Sequence, residues 1–129
     1  MNITLVEDNP NTANMLVWGL RLSKNIVNLY TNAESCIKGL LEAKFTNKPL
    51  PDILITDYNL GEGLNGRELI RQIRGQENIS YEELPIILIS GASLSLAEIS
   101  EQYTNIPTMQ KPVTPGALLT KIREVKSSK

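Results

Sequence analysis

Four short apolar runs in this chain end in groups capable of polar chemistry. Ile3-Thr4-Leu5-Val6 leads into Glu7-Asp8, and Asp52-Ile53-Leu54-Ile55-Thr56 into Asp57. Pro85-Ile86-Ile87-Leu88-Ile89 leads into Ser90-Gly91, and a last extended segment leads into Lys111-Pro112. If these runs are parallel strands, their C-terminal ends share one edge of a sheet, the edge where open α/β sheets bind ligands. Three acids, a hydroxyl and an amine would then meet in a site fit for a divalent metal and a phosphoryl group. Two carboxylates about 4 Å apart repel by ~1 kcal/mol in water and several-fold more at protein-surface screening. A fold keeps such a cluster only where a cation or a proton relieves it. An open, oxygen-rich site of this kind suits Mg²⁺, which prefers octahedral oxygen ligands and retains several waters. Glu7, Asp8 and Asp57 against Lys111 leave an excess of two negative charges, which one Mg²⁺ balances. Taken alone, Glu7 and Asp8 read equally well as acids favoured at the N-terminus of a helix.

The elements that must position these groups are legible as alternating strands and helices. Expected strands are Asn2–Val6, Ile26–Tyr30, Ile53–Thr56, Ile86–Ile89 and roughly Ile106–Met109. Between them, Ala13, Leu16, Val17 and Leu20 follow the i, i+3, i+4, i+7 spacing of an apolar helix face, as do Ala33, Cys36, Ile37 and Leu40. Leu69, Ile70 and Ile73 mark a third helix after Gly66. Leu96, Ile99 and Tyr103 mark a fourth, opened by Ser93 or Ser95, and Leu118, Ile122 and Val125 a fifth. Asn9-Pro10-Asn11, Asn32 and Thr114-Pro115 supply capping starts. Five βα units imply a parallel, doubly wound five-stranded α/β sheet with helices on both faces. The continuous apolar run Ile86–Ile89 suits a central strand buried on both sides. Two polar stretches, Phe45–Pro51 and Gly75–Leu84, read as surface connections, the second long for its kind.

Composition narrows the function classes. The 129 residues fit one domain, 1–129, large enough to bury a core without staples. The single cysteine, Cys36, excludes an intrachain disulfide and fits a reducing cytoplasm. The apolar run after Met1 is too short for a signal peptide, and no stretch could span a bilayer. A net charge of −1 offers no basic footprint for nucleic acid. Lys121, Arg123, Lys126 and Lys129 cluster near the end, where cations complement a helix dipole. The chain contains no histidine, so it offers no histidine to phosphorylate and no imidazole base.

In order and spacing, Glu7-Asp8, Asp57, Ser90 and Lys111-Pro112 resemble the receiver domain of two-component response regulators, and the resemblance covers essentially the whole chain. It implies a flavodoxin-like (βα)5 receiver fold. It further implies that Asp8 and Asp57 ligate Mg²⁺ directly with the backbone carbonyl of Asn59, and that Glu7 acts through a water. Asp57 would be the nucleophile, forming an aspartyl phosphate of the kind used by ion-pumping ATPases. Ser90 would follow the phosphoryl group, Lys111 would neutralise it, and Lys111-Pro112 would be cis. The expected partner is a histidine kinase or a histidine phosphotransfer protein, and the chain is expected to be a monomer or weak dimer. On this reading it is not an enzyme acting on an external substrate but a switch that assists only its own phosphorylation and dephosphorylation. It would serve as a relay intermediate, a stand-alone regulator or a receiver cut from a hybrid kinase.

Three features depart from the usual family pattern. Glu7 stands where Asp is common, and Thr108 stands where an aromatic ring usually switches. The segment Leu60-Gly61-Glu62-Gly63-Leu64-Asn65-Gly66 has an extra residue and lacks the usual proline, which resembles receivers of hybrid histidine kinases. A second apolar stripe on the first helix, Met15, Trp18 and Leu22, falls where the family docks its histidine-bearing partners. The competing reading packs Trp18 or Leu22 against the last helix. Two other functions are compatible with parts of the pattern. A haloacid-dehalogenase-type phosphatase needs a second Asp two residues after its nucleophile, where this chain has Asn59. A degenerate receiver would bind partners without phosphorylation, against which Asp57, Ser90 and Lys111 all stand.

Overall fold

The structure, a computed structural model, describes residues 1–91 and 106–127. Its strands are β1 (Asn2–Val6), β2 (Ile26–Tyr30), β3 (Ile53–Asp57), β4 (Ile86–Ser90) and β5 (Thr108–Gln110). They form one sheet in the order β2-β1-β3-β4-β5. Every neighbouring pair is parallel. The described helices are α1 (Pro10–Leu22), α2 (Ala33–Phe45), α3 (Gly66–Arg71) and α4 (Pro115–Ser127). The expected helix around Leu96, Ile99 and Tyr103 lies outside the described residues. No helix among them is long and apolar enough to cross a membrane.

Strand alternation divides the core between the two faces of the sheet. Leu54, Ile86 and Leu88 pack with Cys36, Ile37 and Leu40 of α2 and with Leu69, Ile70 and Ile73. Ile53, Ile55, Ile87 and Ile89 pack on the other face with Leu16, Val17 and Leu20 of α1 and with Leu118, Ile122 and Val125 of α4. The central strands β3 and β4 are buried at every residue. The capping side chains act as the sequence indicates. Asn9 Oδ1 accepts the Thr12 N–H at 3.0 Å, Asn32 Oδ1 the Ser35 N–H at 2.8 Å, and Thr114 Oγ1 the Ala117 N–H at 3.1 Å. The first turn of α1 contains no acid, so capping falls to Asn9 rather than to Glu7 and Asp8.

Two expectations need correction, and one open alternative is decided. The fifth strand starts at Thr108 rather than Ile106, with Thr108 opposite Leu88. Pro107 has no N–H to give and contributes only its carbonyl, which accepts from Leu88 N at 3.0 Å. The stretch Gly75–Leu84 is a surface connection only in part. The third helix continues through a π-helical turn, Gln72–Gln76, and Ile79 and Leu84 are fully buried. Arg74 Nη1 fastens the stretch by donating to the Ile79 and Ser80 carbonyls at 3.1 and 3.0 Å. Finally, Trp18 and Leu22 do not pack under the last helix, since they are 67% and 64% exposed. The contact between α1 and α4 runs through Gly19, whose missing side chain leaves room for the Pro115 ring.

Gly19→Ala tests that packing. Alanine gains up to about 1 kcal/mol of helix propensity, but a methyl group forced into a filled contact costs typically 1–3 kcal/mol. We expect the urea midpoint of Gly19→Ala to fall. An unchanged or raised midpoint would mean that α1 and α4 separate at no cost.

Candidate functional site

The parallel register brings the reactive residues of four elements to one edge. Asp57 is the last residue of β3, opposite Ile89, and Ser90 ends β4 opposite Gln110, one residue before Lys111. Glu7 and Asp8 follow directly on β1. The Glu7 N–H donates to the Tyr30 carbonyl at 3.0 Å, and the Lys111 N–H to the Ser90 carbonyl at 2.9 Å. Tyr58, just past β3, donates its N–H to the Ile89 carbonyl at 2.7 Å. These main-chain bonds hold the strand ends rigidly where the chain turns away from the sheet.

One carboxylate oxygen from each of Glu7, Asp8 and Asp57 lies within 4.8 Å of the others. Glu7 and Asp57 are buried, at 2% and 3% exposure, while Asp8 is open to solvent. Lys111 Nζ lies 2.7 Å from Asp57 Oδ2 and 3.6 Å from Glu7 Oε1. Glu7 Oε2 also accepts the Asn9 N–H at 3.1 Å. One ammonium therefore serves two buried acids, and the third acid faces water beside them.

The electrostatic consequence falls on Glu7. Burial pushes its carboxyl up to about 7; the Asn9 N–H opposes this, and the neighbouring Asp57 charge adds to it. Burial on its own would lower the Lys111 pKa. The hydrogen bond and charge of Asp57, together with Glu7, outweigh burial and raise it. Burial is the chief cause of the Glu7 shift and the Asp57 charge a smaller one; a cation bound beside the two acids would favour the ionised form of both. The donor set present, two buried carboxylates and a third open to solvent, fits a hard divalent ion.

Ser90 is fully buried at the end of β4. Asn59 lies at the surface two residues beyond Asp57. Met15 is 44% exposed and, with Glu7, Thr12, Leu16, Lys111 and Val113, lines a cavity of about 420 Å³. Trp18 sits one turn further along α1 and is exposed. The Lys111-Pro112 peptide is cis. Thr108 is half-buried at the start of β5.

Gly66 has a role at the site that sequence reasoning missed. A Cβ on it would overlap the Asp57 carbonyl and crowd Tyr58 Cα at 2.9 Å, and its N–H donates to the Tyr58 carbonyl at 2.7 Å. The sequence marks Gly66 only as a helix start. The glycine spacing from Gly61 to Gly66 was the available signal.

The family model for the response regulator receiver domain matches residues 3–123. The chain belongs to the response regulator receiver family. A two component response regulator from Cytophaga hutchinsonii superposes with a TM-score of 0.80 at 21% identity, covering 98% of this chain and 96% of that one. A response regulator receiver domain protein from Clostridium thermocellum gives 0.78 at 18%, covering 98% and 94%. At these identities the likeness speaks for the receiver fold. The receiver is also 27% identical over 126 residues to "Adenylate cyclase, terminal-differentiation specific" of Dictyostelium discoideum. That alignment takes in 95% of this chain and spans only 6% of the relative's length.

The pKa of Glu7 makes a signed prediction for the metal-free receiver. Between 4.5, its ordinary value, and about 7, the folded state holds a proton that the unfolded state has released. Stability should therefore fall as pH rises through that window, by up to about 1.4 kcal/mol per pH unit. Below the window the effect of Glu7 vanishes, and above it the loss is complete. Urea melts from about pH 4.5 to 8 should show this fall in wild type and a flatter profile in Glu7→Gln. An equal slope in both would remove Glu7 as its source.

Proposed function

We propose that this receiver is a phosphoacceptor switch that takes a phosphoryl group from a partner's phosphohistidine onto Asp57, with Mg²⁺ bound beside it. The observation that carries this reading is the shared position of Lys111: 2.7 Å from Asp57, 3.6 Å from Glu7, with Asp8 at the open rim. Asp8, Asp57 and the Asn59 carbonyl would hold the metal, with Glu7 reaching it through a water. Bound there, Mg²⁺ supplies charge neutralisation for the phosphoryl oxygens.

The chain's own residues account for the remainder of the transfer. An Asp57 carboxylate oxygen attacks phosphorus, the donor's P–N bond breaks, and the imidazole leaves with the electron pair and is reprotonated from solvent. Phosphoryl transfer asks mainly for positioning and charge stabilisation. Asp57 is positioned by β3 on one side and by the close approach of Gly66 on the other. Its Oδ2 is engaged by Lys111, so that ammonium already stands where the phosphoryl charge arrives. Ser90, at the next strand end, offers a hydroxyl to the same group. The product is a mixed anhydride, and the phosphoryl group adds roughly −1.5 to −2 charge at the sheet edge.

The partner follows from the same geometry. Met15 joins the cavity that Glu7 and Lys111 line to the exposed stripe continued by Trp18 and Leu22, which supports docking of a helical histidine-bearing partner along α1. A surface helix ordinarily keeps that face polar. We read residues 1–129 as one receiver unit working in the cytoplasm. It turns over no external substrate and acts as a monomer or weak dimer. The match to a small segment of a long cyclase supports kinship with receivers built into larger signalling proteins.

Incubation with phosphoramidate and millimolar Mg²⁺, followed by intact mass, tests the reading. Wild type should gain one phosphoryl unit and Asp57→Asn none. Equal labelling of both would end the assignment of Asp57. The metal is tested separately by thermal melts. Mg²⁺ should raise the midpoint of wild type by linkage, because it binds the folded site preferentially, and raise that of Asp8→Ala much less. Equal rises would place the ion elsewhere.

A further inference from the structure

The glycine-containing segment that departs from the usual family pattern is fixed at both ends and touched between them by acids from two other elements. Leu60 is buried in the core, and Asn65 closes a reciprocal capping box with Glu68. Between them, Gly61 and Gly63 take left-handed backbone, with φ of 70° and 89°. A Cβ on Gly61 would stand 3.1 Å from Asp8 Oδ2, and one on Gly63 would overlap Glu34 Oε2. The segment thus runs close beside Asp8, with no room for a side chain at Gly61, and meets Glu34 on the other side. Glu34 Oε2 also accepts the Leu64 N–H at 3.4 Å.

Glu34 is solvent-exposed. It lies in the first turn of α2, behind the Asn32 cap, where the helix dipole favours an acid. Glycine-rich backbone has the most freedom to lose on ordering, so a contact outside the segment has a large effect on where it rests. Asp8 is the exposed member of the acid cluster, and its carboxylate is bordered by Gly61. We propose that Glu34 is a positioning residue of the acid site. By holding Gly61–Leu64 in place against Asp8, it fixes that carboxylate for a divalent cation. This rests on the receiver reading above for the cation, though not for the clamp itself.

The test uses the full chain as wild type, Glu34→Ala and Glu34→Gln. Amide exchange without metal reads the clamp, and the Mg²⁺ concentration dependence of the thermal midpoint reads the site. In Glu34→Ala, exchange across 61–65 should quicken by about two- to threefold, the loss of one long, solvent-exposed hydrogen bond. Its Mg²⁺ affinity should fall by a similar factor. Glu34→Gln should behave as wild type in both, because its amide oxygen accepts the Leu64 N–H equally well. Unchanged exchange and affinity in Glu34→Ala would overturn the proposal. So would a Glu34→Gln that falls with the alanine variant, since the carboxylate would then act through its charge alone. A wild type with no Mg²⁺ response overturns the cation reading, while the exchange comparison still decides the clamp.

Discussion

The hydrogen bond from Lys111 Nζ to Asp57 Oδ2, 2.7 Å long, is the interaction on which the site depends. It joins the end of the third strand to the residue just past the fifth, across the whole of β4. Asp57 is 3% exposed, and a carboxylate so buried is tolerated only if it is paired. The pairing is incomplete by design of the surroundings, because Glu7 draws on the same ammonium from 3.6 Å. Removing Lys111, itself partly exposed, would leave the buried Asp57 carboxylate without its partner, which is destabilising. The cluster is thus held in a state that additional positive charge would relieve.

Such a cluster survives only on a scaffold that can carry its cost. The two apolar layers provide it: β3 and β4 are buried at every residue, and each face of the sheet has its own core cluster. Burial of a single Leu or Ile side chain contributes roughly 1.5–3 kcal/mol, so the layers outweigh a few kcal/mol of repulsion at one edge. The same architecture explains why the polar groups sit at strand ends. Within the strands, the only buried polar side chains among the described residues are Thr4, Thr56, Asp57 and Ser90, and the last two are the terminal residues of β3 and β4. α1 carries the site outward: its buried face packs on the sheet, while Met15, Trp18 and Leu22 remain exposed and Met15 lines a cavity with Glu7 and Lys111.

Most of the fold and the charged site were legible in the sequence, for an identifiable reason. Asp57, Glu7, Asp8 and Lys111 follow apolar runs whose type and length specify strands, so their convergence follows from parallel topology alone. The helix caps were equally plain, because Asn9, Asn32 and Thr114 precede periodic apolar residues. What was not legible depends on contacts that have no period. Ile79 and Leu84 are buried by a connection pinned through Arg74, and nothing local in a polar stretch announces that. The late start of β5 turns on Pro107, whose missing N–H shifts the ladder. Trp18 could be read as packed or exposed until Gly19 was seen to occupy the α4 contact. The close approach of Gly66 to Asp57 required the loop's path, which sequence spacing only hinted at.

The central claim is that Asp57, and no other acid of the cluster, accepts the phosphoryl group. Glu7 and Asp8 lie within the same 4.8 Å grouping, so the claim is one of position rather than composition. Borohydride reduction of the phosphorylated chain converts an aspartyl phosphate to homoserine, which tandem mass spectrometry locates by residue. The account predicts homoserine at position 57 alone. Reduction at Asp8 or at Glu7, or at no residue of a chain that has gained a phosphoryl unit, would contradict it.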